Sequence, residues 1–129
     1  MSVEMAYLAL SVLLLLVIVS VQSFSLKAEA GNAYTVGARD QELPRGVFAG
    51  RAERALRNFL ETFAGFAVVA VALEVTDKAD WWSALGAALY FWGRVAHLPL
   101  YLAGIAWLRT FAWNVATLGI AIMLWRFAF

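Results

Sequence analysis

Residues Arg51–Glu61 read RAERALRNFLE, and after Thr62 the chain continues as an apolar run, FAGFAVVAVAL, over Phe63–Leu73. The join between these two stretches decides the fold. Charged side chains are costly in a bilayer, so a helix that carries Arg54, Arg57, Asn58 and Glu61 up to apolar sequence needs a use for them. At helical spacing these four residues fall at i, i+3, i+4 and i+7 and form one polar stripe. Lipid does not tolerate such a stripe, so it faces a protein partner or a ligand.

The rest of the chain supports a membrane reading. Its 129 residues are 64% hydrophobic and 15% charged, with a mean hydropathy of +0.75. An ordinary soluble domain is nearer half apolar and a quarter charged, so that class is excluded. Apolar segments at about 3–25, 56–74, 82–106 and 110–128 each approach the roughly 20 residues that cross a bilayer. The first has no basic residue ahead of it and no small-residue cleavage site behind it, and is expected to be a retained membrane helix. These features predict an all-α integral membrane protein, a single antiparallel four-helix bundle spanning 1–129.

Charge predicts the orientation. Six of the ten basic residues (Lys27, Arg39, Arg45, Arg51, Arg54 and Arg57) lie on the Lys27–Gly50 loop or the helix start behind it. The second connection, EVTDKAD, carries Glu74, Asp77 and Asp80 against Lys78. The third is short and centres on Arg109. The positive-inside bias puts the first and third connections in the cytoplasm and both termini outside. Trp81, Trp82 and Trp125 fit an aromatic belt on the outer side.

The third segment contains Arg94, His97 and Tyr101 at i, i+3 and i+7, on one helical face. Arg94 lies roughly 18 Å along the axis from the tryptophan pair. An unpaired arginine at that depth costs on the order of 3 kcal/mol. Glu61 is the one acid at comparable depth and is its expected partner. Each residue also has a plainer reading: a structural ion pair for Arg94 with Glu61, helix packing for His97, an interfacial anchor for Tyr101, a topogenic charge for Arg109. Together, several Arg with Asn, Glu, His and Tyr suit an anionic, peptide-like ligand, since arginine takes carboxylates bidentately and glutamate takes an ammonium. The chain has no cysteine and no HExxH, GxSxG or P-loop motif, so a thiol would arrive with a substrate. Neither a metal nor a nucleic-acid partner is expected.

These stretches carry a family resemblance. RAERALRNFLE resembles the R-x-x-R-x-x-x-N-x-x-E signature on the second helix of the MAPEG family, the membrane-associated proteins in eicosanoid and glutathione metabolism. GRVAHLPLY is similar to the third-helix motif of its microsomal prostaglandin E synthase branch, and LRTFAW looks like the start of the fourth helix in bacterial members, including those akin to microsomal glutathione S-transferase. The resemblance implies a homotrimer in the bacterial inner membrane with glutathione as co-substrate between subunits. It implies that Arg54, Arg57, Asn58, Glu61, Arg94, His97, Tyr101 and Thr110 bind glutathione and that Arg109 is catalytic, its charge favouring the thiolate. The implied activity is that of a transferase or peroxidase acting on lipophilic electrophiles or lipid hydroperoxides, reached from the surrounding lipid. This sequence departs from the family pattern at Gly50, where a glutamate is common, at Lys27, the sole basic residue near the end of the first segment, and in its Tyr101–Arg109 spacing of eight. Two other classes stay open: a non-catalytic structural or interaction subunit keeping the same fold, and an ion-conducting bundle.

Overall fold

The computed structural model describes residues 1–129 and is 84% helical with no strand. Four long helices, α1 (Val3–Ala30), α3 (Val47–Val75), α4 (Trp81–Ala103) and α5 (Ala106–Ala128), are joined by short connections. A single-turn helix, α2 (Asn32–Val36), interrupts the first loop. Only 27 of the 129 residues are buried. The apolar surplus therefore faces outward, and Leu13, Leu16, Val68, Leu118 and Leu124 are all more than half exposed. A surface of that kind is stable against hydrocarbon and not against water.

By length and apolarity α1, α3 and α5 can cross a membrane. The expected fourth span, α4, has the length at 23 residues but is less apolar, because it carries Ser83, Tyr90, Arg94, His97 and several glycines and tryptophans. Ser83, Tyr90, Arg94 and His97 are buried, so its polar face is turned into the bundle. At 29 residues, α3 extends roughly 43 Å, longer than the hydrocarbon thickness. It takes in both the polar stripe and the apolar run in one helix, as the sequence predicted.

Cross-bundle contacts fix the up-and-down order. At one end Glu4 meets Ser83, Arg126 bonds Asp80 at 2.7 Å, and Lys78 donates to the Phe127 carbonyl at 2.9 Å. Trp81, Trp82 and Trp125 stack edge to face there, so we call it the tryptophan end. At the opposite, arginine end, the Gly46 N–H donates to Glu29 at 2.7 Å and Arg51 donates to the Leu102 carbonyl at 3.1 Å. Helices α1 and α5 each pack against α3 and α4, and their backbones do not come close to one another.

Three sequence boundaries move. Lys27 is in the last turn of α1, and Gly50 lies inside α3, so the first loop is shorter than Lys27–Gly50. The third connection is Gly104–Ile105 and does not centre on Arg109, which sits in the first turn of α5. Gly104 adopts φ +76°, and the N–H groups of Gly104 and Ile105 return to the carbonyls of Tyr101 and Leu100. That double bond is a Schellman stop, which glycine permits at low cost.

The α4–α5 seam is lined with small residues. A Cβ at Gly86 would lie 2.6 Å from the Gly119 carbonyl, and one at Gly93 would lie 2.9 Å from the Ala116 amide. In lipid, helices associate through such close backbone approach. The phenyl rings fill the other side: Phe66 stacks on Tyr90 at 4.0 Å, while Phe59 and Phe91 pack with Leu14 and Ile18.

Candidate functional site

Arg94 lies 1% exposed between α3 and α4. Its guanidinium donates to Asn58 Oδ1 at 2.8 Å and rests over the Phe59 ring at 5.1 Å. The expected ion pair with Glu61 does not form. Asn58 is half-buried towards α4, whereas Glu61, three residues on, is turned to the exposed side of α3. A neutral amide therefore takes the place expected of a carboxylate, and Arg94 keeps its positive charge unneutralised by any direct partner. Its Nε is buried with no acceptor.

One turn along α4 from Arg94, His97 is 2% exposed and its ring lies 5.5 Å from that of Tyr101. Across the short Gly104–Ile105 turn, α5 brings the Arg109 guanidinium to 4.5 Å from the Tyr101 ring centroid, a cation–π contact. Thr110 Oγ1 donates to the Ala106 carbonyl at 3.0 Å. The result is an open cavity of about 260 Å³ lined by Asn58, His97, Tyr101, Arg109, Thr110 and Trp113. The Schellman turn matters here, because it folds α5 back so that Arg109 faces Tyr101 and not the loop.

A second cavity, about 480 Å³, opens at the start of α3. Arg45, Arg51, Glu53, Arg54 and Arg57 line it, with Gly46, Val47 and Gly50 forming its backbone wall. Glu53 holds Arg45 at 2.6 Å and Arg57 at 3.7 Å.

A model of the MAPEG family matches residues 3–129. The chain belongs to the MAPEG family. No individual curated relative and no solved structure matches it. This MAPEG protein is thus an integral membrane protein of a family whose members include glutathione-dependent enzymes.

Of the nine residues singled out in the sequence, Asn58, His97, Tyr101, Arg109 and Thr110 share the first cavity, with Arg94 bonded to one of its walls. Arg54 and Arg57 line the second cavity instead, and Glu61 lines neither. Sequence reading missed Trp113, although it lies at i+4 from Arg109 and shares its face. It also gave no ligand role to Arg45 and Glu53. Arg45 precedes α3 in irregular chain, where no periodicity marks the direction of a side chain.

Proposed function

We propose that this MAPEG protein is a glutathione-dependent membrane enzyme, a transferase or peroxidase acting on lipophilic electrophiles or lipid hydroperoxides. The observation that carries this reading is the first cavity, where Asn58, His97, Tyr101, Arg109 and Thr110 converge at the arginine end of an otherwise apolar bundle. Its donors suit the carboxylates and amides of an anionic tripeptide, while Glu61, outside this cavity on the exposed side of α3, is left to meet the ammonium of a ligand shared with a neighbouring subunit. Bound glutathione supplies a thiol whose ionised form is the nucleophile or reductant.

The protein's own part is electrostatic. Arg109, held over Tyr101, sets a fixed positive charge at the cavity wall, and such a charge favours a thiolate over a thiol. Asn58 divides its work, lining the cavity while its oxygen holds Arg94. Arg54 and Arg57 extend the positive field along α3. Lipophilic substrates approach from the surrounding bilayer. In this reading the site is completed between subunits of a homotrimer, with the arginine end on the cytoplasmic side of a bacterial inner membrane.

Titration calorimetry of the purified protein with glutathione in detergent tests the reading, together with turnover of a generic aryl halide. Wild type is expected to bind glutathione and develop thiolate absorbance near neutral pH. Arg109→Ala is expected to lower turnover far more than affinity, since one pKa unit of thiol activation is about 1.4 kcal/mol. Absence of glutathione binding would sink the proposal. Binding without any thiolate would leave the non-catalytic subunit as the better account.

A further inference from the structure

The second cavity lies outside the glutathione reading in most of its wall, and its charge is unbalanced. Four arginines, Arg45, Arg51, Arg54 and Arg57, face one acid, Glu53. Glu53 is divided between Arg45 and Arg57. Arg51 spends one N–H on the Leu102 carbonyl, and its guanidinium lies where a Cβ on Gly104 would approach within 2.7 Å. Arg54 has neither an ion pair nor a hydrogen bond, and it lies along the helix beside Gly50, where a Cβ would sit 3.2 Å from its Nη1. Glu29 stands at one edge, its carboxylate taken by the Gly46 N–H. Even counting Glu29, the cavity gathers more positive than negative charge around a concavity of about 480 Å³. Like charges at this density repel unless an anion sits among them.

We propose that this cavity binds the phosphodiester headgroup of an anionic phospholipid. Guanidinium forks match phosphate oxygens in geometry and charge, which makes the chemistry that of a phosphate. The surroundings select a lipid over a free ion. Val47, which forms part of the cavity wall, and Phe48 beside it are 69% and 49% exposed. On the same end of the molecule Ile105, Trp107 and Leu108 are also exposed, Trp107 at 88%. Arginines in a concavity with bare apolar side chains alongside form the pattern of a headgroup level: charge for the phosphate, apolar surface for the first methylenes.

Glu53 gives the proposal an unusual test, because it competes with the lipid for Arg45 and Arg57. Native mass spectrometry of the intact protein from nanodiscs of equal phosphatidylglycerol and phosphatidylcholine is expected to retain phosphatidylglycerol selectively. Arg45→Gln is expected to weaken that retention about fivefold, the worth of one basic residue at an anionic surface. Glu53→Gln is expected to strengthen it, since two arginines are released. A pair with a purely structural role would show a thermal-stability loss in both variants and no change in lipid preference, and that result would overturn the site. Equal protection by inorganic phosphate alone at the same concentration would overturn its assignment to a lipid. Glutathione calorimetry on Arg45→Gln keeps the two sites apart: unchanged glutathione affinity with lost lipid retention supports a separate site, and parallel loss of both refutes it.

Discussion

Asn58 is the residue on which the interior of the bundle turns. It is the sole hydrogen-bond partner of a guanidinium that is 1% exposed, and hydrogen bonds to buried charges are worth about 1.5–3 kcal/mol. Asn58→Ala is therefore expected to lower stability by about 2 kcal/mol, and Arg94 would be left as an unpartnered buried charge. Glu61→Ala is expected to change the stability of the isolated protomer by no more than about 0.5 kcal/mol, because Glu61 is exposed and makes no bond. Chemical denaturation of both variants in the same detergent checks the contrast, and equal losses would refute the Asn58 assignment. Here the sequence was legible only in part. Spacing identified Arg94, Asn58 and Glu61 as one constellation, but a heptad-like count cannot tell which of two neighbouring residues, about 60° apart around a helix, meets the partner. Charge made Glu61 the better guess, and packing chose Asn58.

At the scale of elements, the helices were readable from apolar length, and their ends were not. The Arg109 turn was misplaced because Gly104, φ +76°, ends α4 five residues before the charge that marked the loop in sequence. The α4–α5 seam depends on glycines whose role no hydropathy pattern announces. A Cβ on Gly119 would collide with the Gly86 carbonyl and approach the Tyr90 amide at 2.7 Å, both of them backbone atoms that do not yield cheaply. Gly119→Ala is expected to cost about 1–3 kcal/mol. Gly65→Ala, in mid-α3 with nothing within 4 Å, is expected to stabilise by about 0.5–1 kcal/mol. Thermal unfolding that ranks these two variants the other way would show that the seam is looser than these close approaches imply. The tryptophan end has its own device, Asp80, which caps α4 in a reciprocal box with Ser83 and bridges to Arg126. The Ser83 amide first, and then Arg126, hold its carboxyl below the ordinary 3.8. A depressed carboxylate contributes stability above its unfolded value and loses it as pH falls through the folded one. The cap is thus expected to persist from neutral pH to about 4 and to fail only below 3.8. Asp80→Asn should remove that acid transition from a pH series of thermal midpoints, and an unchanged series would assign the transition elsewhere.

For the whole molecule, the question is what covers the face of α3 that the protomer leaves bare. Along that face Arg54, Arg57 and Glu61 are exposed, and the single contact among them is the 3.7 Å approach of Arg57 to Glu53. Below them Val68, Val71 and Val75 are exposed in the same helix, beside a shallow apolar hollow shared with Ala67 and Ala72. Lipid satisfies the valines and leaves Glu61 stranded next to hydrocarbon, whereas a neighbouring copy satisfies both. The first cavity is also open to the side, so a second subunit can close it without rearranging the first. We therefore expect a homotrimer, with α3 at its interface. Native mass spectrometry from mild detergent should give trimer as the principal species, and Glu61→Arg, which puts like charges together at a shared stripe, should shift it towards monomer. A wild type seen only as monomer or dimer would refute the assembly. It would also require Glu61 to find its partner in water or headgroups, which moves the lower part of α3 out of the hydrocarbon altogether.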